Sequence, residues 1–302
     1  MEIDVIGLGV STVDIVSLVD HYPVDEEVQR AIDMTVQGGG PVATAMVALA
    51  RLGAKAAMID AIGDDWRGAL IQEEFRREGV VDHLQVRIDR TSSTACILVT
   101  RDNGRRSIVY SPGTAPELSP ADIPGTLIAS AKILHMNGRH WEACLQAAKT
   151  AHEADVKVSF DGGAQRYRPE MEQLVPLTDI CIVARDFAEK YTRETDIHRS
   201  AEVLLESGPG LVVITDGVKG SWIHSREGQA FHQPAYQLLH VVDTTGCGDS
   251  YHGAFLFGLL KGLDLEQIAA FASAVAALNT QCLGGRSGLP TYQQAESFLN
   301  GI

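Results

Sequence analysis

The chain has 302 residues, of which 45% are apolar and 21% charged, and these values are typical of one large α/β domain with room for a small appendage. Its formal net charge of −14 argues against broad binding to nucleic acid, which needs a basic surface, but allows a small anionic ligand held by a few arginines. Five scattered cysteines without a CxxC pair, an acidic N-terminus and the lack of an apolar run of about 18 residues lead us to expect a cytoplasmic protein with reduced thiols and no membrane contact.

Short β-branched runs alternate with helical patterns along the chain. Strands are predicted over residues 4–9, 56–63, 132–137, 156–162, 179–184 and 210–217. Several of these runs are apolar on both faces, which is typical of a parallel sheet covered by helices on each side. Pro41 and Gly53 bracket one predicted helix, and Asp65 can cap another that ends just before Gly79. We therefore predict a doubly wound, mostly parallel α/β sheet.

Two segments, 13–37 and 89–110, interrupt this alternation. The first contains no convincing helix, and the second predicts two strands around Asn103-Gly104, a strong hairpin signal. Both segments would follow core strands at the same end of the sheet. We expect them to form one small β-sheet lid over an α/β core made of residues 1–12, 38–88 and 111–302. Because such a lid has open edges, we also expect a homodimer that pairs through the lids.

The segment VVDTTGCGDSYHGAF, residues 241–255, runs from valines through a glycine loop into an apolar helix. A helix start offers unpaired backbone N–H groups and the positive end of the helix dipole, which suit phosphate. Gly246 and Gly248 would let a ligand approach the backbone closely. Asp249, in the first helical turn, would repel a bound phosphate. It is explained either as a general base that takes a proton from an attacking hydroxyl or as a helix cap.

Four segments in order resemble motifs of the phosphofructokinase-B (PfkB) family of ribokinase-like carbohydrate kinases. They are GGGPVATAMVALARLGAKAAMIDAIGDDWRG (38–68), TDGVKG (215–220), DTTGCGDSYHGAF (243–255) and GGRSGLP (284–290). Within the family, GGGPVATA (38–45), DTTGCGDSYHGAF and GGRSGLP look most like sulfofructose kinases, and GRRSIVY (104–110) and LHMNGRHWEA (134–143) resemble ketohexokinases. The resemblance covers essentially the whole chain. It implies a ribokinase-like fold with a small β-sheet lid, and transfer of the γ-phosphoryl group of ATP to a sugar hydroxyl.

The resemblance implies roles for the residues that match these motifs. Asp249 matches the catalytic base, and the anion hole beside it would be formed by Gly246, Cys247 and Gly248. Cys247 stands where alanine is usual, and we interpret it as a tolerated small residue rather than a redox switch. The matching sugar-binding residues are Asp14 and the glycines of the hinge turn, Gly38, Gly39 and Gly40.

Cofactor sites are implied in the same way. The residues that match the nucleotide loop are Thr215, Gly217 and Gly220. The residues that match the monovalent cation loop are Asp243, Thr244 and, within segment 284–287, Gly285 and Ser287. The resemblance therefore implies ATP, Mg²⁺ and K⁺ as cofactors.

Two positions depart from the family pattern. The family usually has an asparagine followed three residues later by a glutamate that organises Mg²⁺ and phosphate, whereas IVARDFAEKYT (182–192) offers only Asp186 and Glu189. Many members carry an asparagine that touches the sugar where this chain has Ala43. We therefore expect Mg²⁺ to be held through water by other acids, and the sugar hydroxyls to be recognised differently.

The charge of the substrate depends on a few arginines. Arg139 follows a predicted strand, so its guanidinium would lie at the ligand end of the sheet and could bind a phosphate, sulfonate or carboxylate. The alternative is a surface arginine paired with an acid. We interpret Arg105 and Arg106 as solvated charges at the hairpin tip. A sulfonate group would favour basic residues in the first lid segment, 13–37, where Arg30 is the only arginine or lysine. A ketohexose, a sulfofructose and a sugar acid all stay open as substrates.

The predicted function is that of an ATP-dependent carbohydrate kinase with Asp249 as general base. A nucleoside kinase is an alternative, since Tyr22 or Tyr110 could support a base under the lid. A non-catalytic sugar- or nucleotide-sensing homologue is another. His252 is interpreted as a packed core histidine. The chain lacks the GxGxxG and GxxxxGK[ST] motifs, which argues against a dinucleotide oxidoreductase and a P-loop kinase.

Overall fold

In the computed structural model, which describes residues 3–301, thirteen strands and ten α-helices follow one another in the alternation expected from the sequence. The strands are β1 (Val5–Leu8), β2 (Thr12–Val19), β3 (Asp33–Gly39), β4 (Ala56–Gly63), β5 (Val81–Arg87), β6 (Ser93–Thr100), β7 (Arg106–Ser111), β8 (Ile133–Met136), β9 (Lys157–Gly162), β10 (Ile180–Ala184), β11 (Leu211–Thr215), β12 (Ser221–Ser225) and β13 (Ala230–Gln233). The helices are α1 (Pro41–Leu52), α2 (Trp66–Glu78), α3 (Gly125–Ile128), α4 (Trp141–Glu153), α5 (Met171–Leu174), α6 (Arg185–Thr192), α7 (Ile197–Glu206), α8 (Cys247–Leu260), α9 (Leu265–Asn279) and α10 (Tyr292–Asn300).

Nine strands form a large sheet in the order β13-β12-β11-β10-β9-β8-β1-β4-β5. All neighbours pair in parallel except β12 and β13, which extend one edge in antiparallel fashion. The chain moves outward from β1 to β4 and β5, and then returns to place β8 on the other side of β1. This reversal creates a crevice beyond the carboxyl ends of β1 and β8, where open α/β sheets bind their ligands.

Helices cover both faces of the large sheet and bury a separate apolar core on each side. Helix α8 packs between α1 and α9, which explains why its sequence is apolar on nearly every side. Gly253 allows this packing, because a Cβ atom there would meet the backbone carbonyl of Ala45 in α1 at 2.5 Å. The start of α8 is therefore held rigidly at the ligand end of the sheet.

The other four strands form a small sheet in the order β3-β2-β6-β7, built from both segments that interrupt the alternation. Strand β2 pairs with β6 in parallel, and the outer pairs are antiparallel. On its inner face Val16, Ile97 and Val99 pack with Leu283 and Val242 of the core. The strand register places a second apolar set on the outer face: Ile15, Met34, Val36, Cys96, Leu98 and Val109.

The doubly wound fold expected from the sequence is confirmed, and three strands are additions to it. Strands β5, β12 and β13 were not among the predicted ones. They lie at the edges of the large sheet, and β5 is a mixture of half-buried and exposed positions instead of an apolar run. Among residues 3–301, no helix has the length and apolar character needed to span a bilayer.

Candidate active site

The start of α8 is a cradle of backbone amides. Gly246 precedes the helix in the left-handed conformation, with φ 73°, and a Cβ atom there would overlap the carbonyl oxygen of Gly285. A Cβ atom on Gly248 would have no neighbour within 4 Å, so the space in front of the first turn is open. The N–H groups of a first helical turn have no partner within the helix, and here they can bind an anion.

Asp249 projects from this first turn and is half-buried. Burial raises the pKa of its carboxyl group above the ordinary value, and the charge of Asp161 acts in the same direction. The positive charges of Arg166 and Arg106 oppose that rise in pKa. Helix α8 begins without a side-chain cap, in contrast to α2, where Asp65 accepts a hydrogen bond from the Gly68 N–H. A carboxylate of raised pKa beside the amides of the first turn suits a general base better than a cap.

Asp14 lies in strand β2 of the small sheet and is only 6% exposed. Burial raises its pKa to about 6, although a 2.6 Å hydrogen bond from the Thr12 hydroxyl and the charge of Arg286 lower it. The negative charge of Asp249 also raises this pKa, so the two carboxyl groups lie close enough to interact. The structure thus brings together the predicted base and the predicted sugar-binding acid.

The three glycines Gly38, Gly39 and Gly40 allow the chain to pass close to this acid. A Cβ atom on Gly39 would overlap the carboxylate of Asp14, and one on Gly38 would overlap that of Glu74. Gly40 has φ 92° and lies against the carbonyl of Val10. No other residue type fits this turn, because each position lacks room for a side chain or has a left-handed backbone.

Two arginines beside Asp249 were not predicted as site residues. Arg166 follows β9 and lies across the backbone of Gly163, with Nη1 3.4 Å from Oδ2 of Asp161. Arg106 of the small sheet donates a hydrogen bond to the Thr244 hydroxyl, with the two atoms 3.0 Å apart. Both guanidinium groups lower the pKa of Asp249, so both act at the start of α8.

The sequence contained one signal for Arg166. It follows the predicted strand 156–162, at the same end of the sheet as the other site residues. Arg106 is exposed, as expected of a solvated charge at the hairpin tip, but the turn that precedes it forms hydrogen bonds to the core. The carbonyl of Gly104 accepts hydrogen bonds from both the N–H and the hydroxyl of Thr244. This contact brings the hairpin tip to the loop that leads into the anion hole.

Asp243 is fully buried and organises the predicted cation loop. Its Oδ1 accepts a 2.7 Å bond from the Thr245 N–H, and its Oδ2 accepts a 2.8 Å bond from the Gly284 N–H. Asn279 donates to the Gly285 carbonyl at 2.9 Å, while its own Oδ1 and the hydroxyl of Thr245 are buried without a partner. Buried oxygens that lack a donor are the groups that a hard cation prefers as ligands.

Other predicted residues of this loop have different contacts. The Thr244 hydroxyl is engaged by Gly104 and Arg106, and the Ser287 hydroxyl lies 3.4 Å from Oε1 of Gln37. Within residues 3–301 no cluster of three or more His, Cys, Asp or Glu side chains is placed to hold a metal ion.

The predicted nucleotide loop connects β11 with β12. Thr215 ends β11, and Gly217 and Gly220 both have positive φ, at 52° and 96°. Asp186 and Glu189, the two acids of the segment that departs from the family's magnesium motif, each accept a hydrogen bond from a nearby residue. Glu189 accepts a 2.7 Å bond from Arg185, which also binds Asp216. Asp186 accepts a 2.7 Å bond from the N–H of Gln165.

Arg139 follows β8, and its Nη1 lies 2.7 Å from Oε1 of Glu117. The pairing with an acid that we considered as the alternative is therefore the contact observed. His252 is 4% exposed, lies 3.5 Å from Asp161 and has its pKa lowered by burial to about 4, as expected of a neutral core histidine. Burial raises the pKa of the Cys247 thiol to about 12, so the group stays protonated at neutral pH.

The match to known proteins agrees with this geometry. The model of the pfkB family carbohydrate kinases matches residues 3–292. The chain belongs to this family. An uncharacterized sugar kinase of Archaeoglobus fulgidus is 32% identical over 248 residues, covering 80% of this chain and 98% of that protein. The 5-dehydro-2-deoxygluconokinase of Bacillus subtilis is 28% identical over 319 residues, covering 98% and 95% of the two chains.

The fold is also found among solved structures. A putative Ribokinase II from E. coli, crystallised with ATP and Mg²⁺, is similar with a TM-score of 0.87 and 21% identity, covering 99% of this chain and 100% of that one. The pfkB kinase is therefore a sugar phosphotransferase built on the ribokinase fold. Its expected family and fold class are both confirmed.

The raised pKa of Asp14 predicts a specific dependence of stability on pH. The folded protein retains a proton that the unfolded chain loses between the ordinary pKa of 3.8 and about 6, so ionised Asp14 destabilises the fold at higher pH. Asp14→Asn should raise the free energy of unfolding at pH 7 by at most about 3 kcal/mol, and the gain should vanish near pH 4.

Thermal unfolding of the parent and of Asp14→Asn between pH 4 and 8 measures this difference in stability. Asp122→Asn is the control of opposite sign, because hydrogen bonds from Ser119 lower the pKa of Asp122 to about 2 and that variant should be less stable at pH 7. Equal destabilisation by both substitutions would contradict the account of Asp14.

Proposed function

We propose that this pfkB kinase transfers the γ-phosphoryl group of ATP to a sugar hydroxyl, with Asp249 as general base. The observation that carries the proposal is the position of a half-buried carboxylate of raised pKa at the open amide cradle of α8, within interacting distance of Asp14. Binding both substrates at this end of the sheet would place an acceptor hydroxyl beside the base and the γ-phosphoryl group beside the amides.

The reaction follows from these placements. Asp14 and the turn at Gly38–Gly40 bind the sugar hydroxyls, and Asp249 accepts the proton of the attacking hydroxyl. The oxygen forms a bond to the γ-phosphorus while the bond to the β,γ-bridging oxygen breaks, which releases ADP. The amides of Gly246, Cys247 and Gly248 and the charges of Arg166 and Arg106 stabilise the negative charge on the transferring group.

The nucleotide and its metal ion are placed by the loops around this cradle. We propose that Thr215, Gly217 and Gly220 line the nucleotide site. Mg²⁺ bound to ATP usually keeps several waters and uses one or two protein carboxylates. Asp161 fits that role better than Glu189, because its charge acts on Asp249 and its contact with Arg166 is long, at 3.4 Å, whereas Glu189 accepts a 2.7 Å bond from Arg185. When bound, Mg²⁺ would neutralise phosphate charge.

We propose a K⁺ ion at the loop that Asp243 organises. The partnerless oxygens of Thr245 and Asn279, beside the carboxylate of Asp243 and the backbone of Gly285, fit a monovalent hard cation. A cation there would supply fixed positive charge behind the anion hole. The side chains of Thr244 and Ser287 have other partners, so we assign their positions to the wall of this loop.

The substrate class is proposed from the arginines and from the relatives. A sugar acid, a sulfofructose or a ketohexose fits the site, and the activity named for the Bacillus subtilis relative favours an acidic or keto sugar. Arg139 pairs with Glu117, so an anionic group of the sugar would meet Arg166 or Arg106 instead. We propose the cytoplasm as the location, since the five cysteines are free.

We propose that segments 13–37 and 89–110 act as a lid over the core of residues 1–12, 38–88 and 111–302. The hydrogen bond from Arg106 to the Thr244 hydroxyl supports this proposal, because it joins the small sheet to the loop that leads into α8. Closure would exclude water, so that ATP is not hydrolysed without sugar. The apolar outer face of the small sheet suits a second copy of the chain, because Met34 and Val109 are 61% and 74% exposed.

Asp249→Asn tests the catalytic assignment. We expect an intact fold and unchanged ATP binding, with kcat lower by about 10²–10⁴-fold, because an amide cannot accept the hydroxyl proton. The matched control is Asp264→Asn, since Asp264 caps α9 by accepting a hydrogen bond from the Gln267 N–H. Its kcat should stay close to that of the parent. If both variants turned over at parental rate, Asp249 would be no more than a helix-terminal acid.

The double substitution Met34→Lys and Val109→Lys tests the dimer. Charges on the outer face should make the protein monomeric in sedimentation experiments at concentrations where the parent is a dimer. Val86→Lys, at an exposed position of edge strand β5, should leave the dimer intact. A monomeric parent, or a variant that remains dimeric, would refute association through the lids.

A further inference from the structure

Arg286 lies in the loop after α9 and is almost completely buried, with 2% of its surface exposed. Its side chain bonds to three separate elements. Nη2 donates to the carbonyl of Gly39 at 2.7 Å, Nη1 to Oε2 of Glu74 at 2.9 Å, and Nε to the hydroxyl of Thr44 at 3.1 Å. One guanidinium group therefore joins the glycine turn to α2 and to the first turn of α1.

The same loop lies against the anion hole on its other side. Gly284 donates its N–H to Asp243 at 2.8 Å, and the carbonyl of Gly285 occupies the position where a Cβ atom of Gly246 would be. Two consecutive residues, Gly285 and Arg286, thus touch the anion hole and the sugar turn. A displacement of this loop would disturb both halves of the site.

The charge of Arg286 also acts on the sugar-binding acid. The groups that face Asp14 are the Thr12 hydroxyl on its own strand, Arg286 from the terminal loop, Asp249 from α8 and Glu74 from α2. Arg286 and Thr12 lower the pKa of Asp14, while the two carboxylates raise it. Arg286 is the positive charge among these groups that favours the ionised form able to accept hydrogen bonds from sugar hydroxyls.

Stability alone does not explain a buried ion pair at this place. Buried pairs can often be replaced by apolar residues of similar volume without loss of stability, because desolvation offsets most of their attraction. The guanidinium group gives something that an apolar side chain cannot, namely three bonds in fixed directions. Those bonds end on the Gly39 carbonyl and on the two helices that border the glycine turn.

We propose that Arg286 is a positioning residue that couples sugar binding to the phosphoryl-transfer site. It holds the Gly39 turn and the ionised Asp14 in the arrangement that binds the sugar, and it anchors the loop that backs the anion hole. This proposal rests on the proposed kinase function. It predicts that changes at Arg286 act first on the sugar KM and on the pH dependence of kcat/KM, and only secondarily on ATP binding.

Charge substitutions on either side of the ion pair should have opposite effects. Arg286→Gln removes the positive charge, so the acid limb of kcat/KM for the sugar should move to higher pH, with the sugar KM raised about 10- to 100-fold through loss of the bonds of a charged donor. Glu74→Gln removes a negative charge while keeping a hydrogen-bond acceptor for Arg286, so the same limb should move to lower pH. A residue that only fills space would give no such pair of shifts.

The experiment uses D-fructose and 5-dehydro-2-deoxygluconate as acceptors, with initial rates between pH 5 and 9. If Arg286→Gln does not fold, the double variant Arg286→Met with Glu74→Met removes both charges without leaving one unpaired. Circular dichroism should show that this double variant is folded, and its sugar KM should still be raised. Arg226→Gln is the matched control, because Arg226 also donates to backbone carbonyls, at Leu205, Gly208 and Pro209, but lies away from the site.

The outcomes separate this inference from the function on which it rests. A parent protein that phosphorylates neither acceptor nor any other sugar would overturn the proposed function, and the inference with it. An active parent whose folded Arg286 variants keep the parental sugar KM and acid limb would overturn the inference alone. So would variants in which kcat falls while the sugar KM stays unchanged.

Discussion

The site depends on holding two carboxyl groups, Asp14 and Asp249, near each other in partly desolvated positions at the ligand end of the sheet. Burial raises the pKa of both carboxyl groups, and within residues 3–301 neither forms an ion pair with a Lys, Arg or His side chain. Arginines placed around them supply the balance instead: Arg166 and Arg106 beside Asp249, and Arg286 beside Asp14. The carboxylates therefore remain available to substrates, at a cost in stability that is common for functional sites.

This balance requires contributions from distant parts of the chain. Asp14 and Arg106 come from the small sheet, Arg166 follows a core strand, and Asp249 begins a central helix. The glycine turn brings the small sheet so close to α2 that any side chain at Gly38 would displace Glu74. The start of β2 and the end of β3 both lie at this turn. The small sheet is therefore joined to the core at the place where the sugar is proposed to bind.

Much of the fold could be predicted because its signals are local. Pro41 and Gly53 bracket α1, and buried parallel strands such as β11 are continuous apolar runs. Edge strands carry no such signal, because one side faces solvent, and β5 was missed for that reason. The glycine loops could also be predicted. Closely spaced glycines by themselves indicate a backbone that adopts positive φ or passes close to other atoms.

The contacts of the arginines could not be predicted in the same way. Arg286 meets Glu74 across 212 positions of sequence, and Arg106 meets Thr244 across 138. The residues next to Arg139 in the sequence do not indicate that it will pair with Glu117. That ion pair depends on the path of the chain between β7 of the small sheet and β8 of the large sheet. A charged residue near a predicted strand end thus indicates a site, but its partner is decided by tertiary structure.

The measurement that tests the central claim most directly is ADP release from ATP, coupled to a spectroscopic readout, over ketoses, sugar acids, sulfosugars and nucleosides. The account predicts slow hydrolysis without an acceptor and a rise on the order of 10²-fold or more with at least one sugar, because Asp249 has a hydroxyl to deprotonate only when the acceptor is bound. ADP release that no sugar accelerates, or that only nucleosides accelerate, would contradict it.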